Sequence, residues 1–263
     1  MIRLDTRAWD WNSTSNFMDW IADGYILSVR KHGETSAIID VFTREKGRHP
    51  GLVRGGVGRR MRPVLQPGNH VSVEWRGRLE EQLGYYTLEA IDSRAAELME
   101  ERLSLAGLNA LCVMTRELLP EREAYPSLYD VFSIVVSQLE TPEIWPALYV
   151  RWEAGLLAAL GYGLDLSECA ATGTTENLTH VSPRSGRAVC ASSAAPYGDK
   201  MLSLPGFMRG ESSASPEDIW RGLRLTGYFL ETRVQWEINR TLPEARTAMI
   251  DRLIASGHVS CPQ

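Results

Sequence analysis

Between residues 44 and 62 the chain carries Arg44, Lys46, Arg48, Arg54, Arg59, Arg60 and Arg62 against a single acid, Glu45. The later part of this run, GLVRGGVGRRMRPVLQPG (51–68), sets its arginines beside Gly55, Gly56 and Gly58. A guanidinium binds phosphate well because its planar fork presents several donors and a permanent charge, and glycine lets a backbone approach a ligand closely. Such a stretch can grip a polyanion backbone through contacts that position it without reading its sequence. A blander reading stands beside this one: a solvated loop whose charges keep a sheet edge soluble. Arg76 and Arg78 either extend the cationic surface or are ordinary strand-end charges.

A grip on single strands also needs aromatic faces for bases to stack on. Trp75 alternates in phase with Val71 and Val73, so the period-2 rule directs it to the core. Tyr86 shares a face with Leu88 and Ala90, whereas Tyr85 points with Thr87 and Glu89 to the polar side. Tyr85 is therefore the stacking candidate.

Catalysis leaves no comparable trace. There is no G-x-x-x-x-G-K-[ST] loop, and Gly56-Val57-Gly58 lacks the third glycine of a dinucleotide site. Nucleophile elbow, H-E-x-x-H helix and catalytic-cysteine settings are also missing. His32 and His49 fall in turns and His70 starts a strand, none with an evident carboxylate partner by spacing. The expectation is a protein without catalytic residues or cofactor.

Elements must hold the basic run in place, and the pattern supplies them. Tyr25 to Arg30 alternates, AIIDVFT (37–43) is rich in β-branched and aromatic residues, and Val71, Val73 and Trp75 alternate again. With 48–53 and 83–90 these make five short strands, which suits a small barrel of the OB type. After Ile91 the period becomes helical: Leu105, Leu108, Leu111, Cys112, Thr115 and Leu118 form one stripe, and Leu128, Val131, Phe132, Val135 and Leu139 form another. Thr141 reads as an N-cap with Pro142 at the first helical position, then Ile144, Leu148, Trp152, Leu156 and Leu160 on one face and Gly161 past the end. Ser215, Pro216, Glu217 and Asp218 open a further helix. The fold class is α+β: an N-terminal extension (1–17, with Trp9 and Trp11), an OB-type barrel (18–91), and a helical domain (92–263) containing an irregular, cysteine-bearing lobe at 166–207.

The net charge is −5 over 263 residues, so the chain does not coat nucleic acid over its whole surface. The cations are instead local, with acids concentrated after residue 88. No apolar run is long enough to cross a membrane and no secretory h-region opens the chain, which points to the cytoplasm.

The order of several blocks resembles the RecO family of bacterial recombination-repair mediators. They are GYILSVRKHGETSAIIDVFTREKGRHPGLVRGG (24–56), LQPGNHVSVEWRGR (65–78), LGYYTLEA (83–90), GYGLDLSECAATG (161–173), VSPRSGRAV (181–189) and LSLPGFM (202–208). The resemblance implies an OB domain followed by a helical one, binding to single- and double-stranded DNA, and annealing of complementary strands. It further implies help in loading recombinase onto DNA covered by single-strand-binding protein. Partnership with RecR and with the C-terminal tail of single-strand-binding protein is implied as well, without nucleotide hydrolysis. The alternative is an adaptor whose barrel binds a polypeptide instead of DNA.

Some members of that family hold zinc with paired C-x-x-C knuckles in the region of 166–207. Here Thr172 follows Cys169 at the third place and Ser193 follows Cys190, so each pair lacks its second thiolate, and His180 would raise the ligand count only to three. No zinc is expected, and a reducing compartment disfavours a disulfide. Arg184 and Arg187 in the same lobe either hold turns or add to a DNA surface; both readings stay open.

Overall fold

The computed structural model describes residues 18–211, 213–234 and 241–261. The expected extension at 1–17 lies outside them. Five strands come first: β1 (Met18–His32), β2 (Ser36–Thr43), β3 (Gly47–Val53), β4 (His70–Gly77) and β5 (Tyr85–Asp92). They close into a barrel in the order β1-β2-β3-β5-β4. The alternation in β4 sends Val71, Val73 and Trp75 inward to full burial, where they meet Ile26, Ile39, Val41 and Tyr86. Burying an aromatic as large as Trp75 contributes about 3 kcal/mol. The closing seam is thin: β3 and β5 run parallel through one register pair, Leu52 and Tyr85, helped by the Leu52 N–H donating to the Gly84 carbonyl at 3.1 Å.

The glycine- and arginine-rich segment after β3 plugs one mouth of this barrel. Met61, Val64 and Leu65 pack on the barrel core, which leaves the charged residues between them facing out. Asn69, fully buried, fixes the far end: its Nδ2 donates to the Pro63 and Val64 carbonyls at 2.9 Å, and its Oδ1 accepts from the Ala95 amide at 3.1 Å.

His49 reads two ways in the sequence, as a turn residue and as part of the strand expected at 48–53. It does not fall in a turn; it lies in β3 with its ring inside the barrel, edge-on to Trp20 and Trp75 with centroids 5.1 Å away in each case. Burial holds its imidazole down at about 4, opposed by the Nδ1 bond to the Pro50 carbonyl at 3.0 Å. The unfolded chain titrates this group near pH 6.5 and so takes up a proton that the barrel refuses. Stability is therefore complete above about pH 6.5 and falls as the pH drops toward 4. Going from pH 7 to pH 5 is expected to cost roughly 2 kcal/mol through His49, with half-buried His70 acting in the same direction. Urea unfolding followed by circular dichroism at both pH values checks this. His49→Leu should flatten most of the difference, and an unchanged pH profile would contradict it.

Seven α-helices follow among the described residues: α1 (Arg94–Glu97), α2 (Arg102–Leu118), α3 (Pro126–Gln138), α4 (Trp145–Ala159), α5 (Ala191–Ala194), α6 (Pro216–Phe229) and α7 (Glu244–Ala255). The expected stripes of α2 and α3 are buried, except that Leu105 is 39% exposed and Val131 only partly covered. α6 opens with a capping box in which Ser215 and Asp218 each satisfy the other's backbone amide. α4 departs from expectation. Residues 141–144 form a turn first, and the helix starts at Trp145 with Pro146 in its opening turn. The buried face is Trp145, Tyr149, Trp152 and Leu156, while Ile144 is 46% exposed. A proline at either position suits a helix start, so Pro142 and Pro146 compete, and packing of Trp145 against α2 at Gly107 favours the second. The end is as read: Gly161 takes φ +87° and the Tyr162 amide returns to the Leu157 carbonyl at 2.7 Å.

The stretch 166–207 is more regular than its composition suggests. It holds a three-stranded sheet, β7-β6-β8, from β6 (Leu178–Val181), β7 (Ala188–Cys190) and β8 (Leu202–Ser203). Strands this short carry too little alternation to be read. Leu178, Val181, Ala188 and Val189 join the same core as the helices.

That core also reaches into the barrel. Tyr25, Leu27 and Phe42 pack with the helical residues, so the middle of β1 is buried on both faces. At the β2–β3 turn Gly47 has φ +63°, and a Cβ there would stand 1.8 Å from the Glu123 carbonyl oxygen. Barrel and helices meet backbone to backbone.

Candidate nucleic-acid interface

Of the ten residues that sequence reasoning singles out, nine separate into three groups and Lys46 stands apart. Arg44 and Arg48 bind other parts of the same chain. Arg44 forms a two-pronged pair with Asp130 of α3, at 2.8 and 3.0 Å, which holds the Asp130 carboxyl below its usual range. Arg48 is more deeply committed, with its side chain only 14% exposed. It donates to Asp40 at 3.1 Å and to the Leu119 carbonyl at 3.0 Å, and it lies 3.3 Å from Glu121. Arg48 points out of the barrel, as alternation in β3 requires, and Arg44 sits in the β2–β3 turn; outward at this place means toward the helical domain. The Arg48 charge is neutralised inside the protein, whereas the Arg44–Asp130 pair is about half exposed.

The second group surrounds an open cleft of about 1250 Å³ at the seam between β3 and β5. Arg54, Arg76, Arg78 and Tyr85 all line it, joined by Gln82 and Leu83 of the β4–β5 connection. Tyr85 is 47% exposed. The Arg54 guanidinium lies over its ring, 4.3 Å from the centroid, so a cation and an aromatic face are presented together at the cleft. Tyr86, one residue on, is buried with its hydroxyl donating to the His49 carbonyl at 3.2 Å. Arg76 is shared with Glu74 at 2.8 Å, in an exposed pair that a stronger anion can displace. Lys46 lies outside the cleft, with its ammonium 6.0 Å from the Trp20 ring.

Arg59, Arg60 and Arg62 make the third group, exposed on the outer side of the plugging segment. None of the three pairs with an acid among the described residues. The hairpin-like turns that carry them are closed by Gly58 N–H to the Gly55 carbonyl at 2.9 Å and Arg62 N–H to the Gly58 carbonyl at 3.1 Å. Hydrogen-bonded backbone under exposed guanidinium groups suits a sequence-blind grip on phosphates.

Arg62 faces a different cavity from Arg54. It borders a groove of about 800 Å³ between the plugging segment, α1, α2 and α7, where Arg102 and Arg252 are also found. The groove floor is apolar, with Met99 69% and Leu105 39% exposed. Sequence reasoning missed Arg102 and Arg252, because only the packing of α7 against α2 brings together residues so far apart in the chain. In the 166–207 region Arg187 is paired with Asp165 and Glu168, both at 3.1 Å, and holds a turn; Arg184 is exposed.

Among the described residues no helix is long and apolar enough to cross a membrane. Comparison with known proteins agrees with the earlier resemblance. Residues 18–94 match the profile of Recombination protein O N terminal, and residues 99–242 match that of Recombination protein O C terminal. The chain is 49% identical over 237 residues to the DNA repair protein RecO of Ruegeria sp. (strain TM1040), covering 90% of this chain and 98% of that one. It is 47% identical over 239 residues to the protein of the same name from Hyphomonas neptunium, again covering 90% and 98%. The figure is 48% over 237 residues for that of Caulobacter vibrioides (strain NA1000 / CB15N), with the same coverage.

Proposed function

Because the chain belongs to the RecO family of DNA repair proteins, we propose that it acts as a recombination mediator. It binds single- and double-stranded DNA, anneals complementary strands, and helps to load recombinase onto DNA covered by single-strand-binding protein. The observation that carries this reading is the union of Arg54, Arg78 and exposed Tyr85 in one cleft, beside the unpaired arginines of the plugging segment. Arg54, Arg59, Arg60, Arg62 and Arg78 supply the phosphate contacts, Tyr85 a stacking face, and Arg76 and Lys46 secondary charge. Arg44 and Arg48 serve the seam between barrel and helices. The work is done by binding and release in the cytoplasm, with no bond chemistry of its own.

RecR and the C-terminal tail of single-strand-binding protein are the protein partners on this reading. An acidic tail with apolar side chains needs a hydrophobic groove beside cations. The groove edged by Arg62, Arg102 and Arg252 has both and supports docking there. An adaptor whose barrel binds only polypeptides would show no binding of an oligonucleotide.

The deciding experiment anneals two complementary oligonucleotides, bare or coated with single-strand-binding protein, across a salt series. Annealing should be accelerated on both substrates. If about five cations neutralise phosphates, log K for a single strand should fall against log salt with a slope of roughly −3.5. Added tail peptide should inhibit only on the coated strands. Annealing no faster than in buffer, or binding indifferent to salt, would sink the reading.

A further inference from the structure

Two thiols in the 166–207 region have no part in the DNA reading. Cys169 lies on a turn closed by the Gly173 amide donating to its carbonyl at 2.8 Å, and Cys190 ends β7; their sulfurs are 3.4 Å apart. Around them are hydroxyls and an amide: Ser193 Oγ at 3.3 Å and Ser192 Oγ at 3.4 Å from the Cys190 sulfur, Thr172 Oγ1 at 3.8 Å from it, and the Cys190 N–H donating to the Cys169 sulfur at 3.3 Å.

This donor set does not fit the zinc centre that some relatives are expected to hold. Thr172 and Ser193 occupy the places of the second thiolates. A neutral hydroxyl is a far weaker zinc ligand than a thiolate, and a closed site needs four strong donors. Among the described residues no cluster of three or more candidate ligands exists. What the knuckles leave behind is a facing dithiol.

A disulfide bond requires the sulfurs to close to about 2.05 Å, and here they start from 3.4 Å. Hydrogen bonds from Thr172 and the Cys190 amide pull the Cys169 thiol down, toward the thiolate that is the nucleophilic form. Cys112, in contrast, is pushed up to about 12 by burial and has no sulfur partner among the described residues. The pair is 1% and 4% exposed, yet Ala170, Ala171, Gly173 and Ala191 around it are at the surface. Small oxidants need cross only one residue's depth.

We propose that Cys169 and Cys190 form an oxidation-sensitive pair that closes to a disulfide on exposure to a hydroperoxide and reopens with a thiol reductant. The Cys169 thiolate attacks one peroxide oxygen, the O–O bond breaks, and the departing hydroxide takes a proton to leave as water. The resulting Cys169 sulfenic acid is attacked at sulfur by Cys190; the S–O bond breaks and its oxygen leaves as water with the Cys190 proton. Two thiols are oxidised by two electrons in total, and one hydrogen peroxide is reduced to two waters. The product ties the 169–174 turn to β7, so the redox state sets how firmly this region is held.

The test exposes the full-length protein to a small excess of hydrogen peroxide, quenches with catalase, denatures, and alkylates with N-ethylmaleimide. Titratable thiols should fall from four to two, with one linked peptide pair joining Cys169 to Cys190, and dithiothreitol should restore all four. In Cys190→Ser the linked pair should vanish and dimedone should trap a sulfenic acid at Cys169. Four alkylated thiols after oxidant, a link through Cys261 with the pair still reduced, or stoichiometric zinc in the purified protein would each overturn the proposal. If Cys190→Ser does not fold, the wild-type peptide map decides.

Discussion

Replacing Glu153 with alanine is expected to destabilise the protein by about 3–5 kcal/mol. Glu153 is fully buried on α4 and accepts from Arg246 of α7 through Nε at 2.6 Å and Nη2 at 3.0 Å, and from Thr226 of α6 at 2.5 Å. Arg246, 7% exposed, also donates to the Leu223 carbonyl of α6 at 2.7 Å. One carboxylate thus fastens three helices, and its removal strands a buried guanidinium away from water. That penalty, more than the lost attraction, sets the magnitude. Urea unfolding monitored by tryptophan fluorescence measures it. The double change Glu153→Met with Arg246→Met should recover most of the loss, because no charge is then left buried. A single-variant loss below about 1 kcal/mol would mean that water or a rearranged Arg246 compensates.

Charge reversal on the barrel is expected to act on DNA while sparing the fold. Arg54, Arg59 and Arg60 are exposed, and none pairs with an acid among the described residues. Their replacement by glutamate should leave unfolding within about 0.5 kcal/mol per site. Three lost phosphate contacts at about 1 kcal/mol each should weaken binding to a single-stranded oligonucleotide at least about 100-fold. The salt slope should shrink by about 2. Fluorescence anisotropy across a salt series reads both. Reversing Arg48 supplies the contrast, since that charge is spent on Asp40 and Glu121 and its loss should appear in stability first. Unchanged affinity in the triple variant would end the case for Arg54 and the plugging segment as a DNA surface.

The alternation of Val71, Val73 and Trp75 and the helical stripe of Leu108, Leu111, Cys112 and Thr115 were legible because each depends only on which side of its own element a residue occupies. The opposite fates of Tyr85 and Tyr86 follow from the same rule. Illegible features depend on a second element. Arg48 looks like any outward strand residue until the α2–α3 connection is laid against it, with the Arg122 amide donating to the Arg48 carbonyl at 2.8 Å. His49 resembles a turn residue because the GRHPG stretch is polar and contains proline; the deep aromatic box that receives it is built from β1, β4 and β5. The groove beside Arg62 needs residues from α2 and α7, which no local pattern connects. α4 was displaced by a few residues because two prolines compete and only tertiary packing chooses between them.

The contact of Gly47 with the Glu123 backbone, with Tyr25, Leu27 and Phe42 sunk among the helices, has a mechanical corollary. A barrel cast into its neighbour in this way cannot pivot on a tether. The cleft at Tyr85 and the groove at Arg102 therefore keep a constant spacing and orientation, spanned on the outside by a single stretch of chain running from Arg54 to Arg62. Two ligands taken up together would be presented to each other at an angle built in at folding, as a carpenter's jig presents two boards.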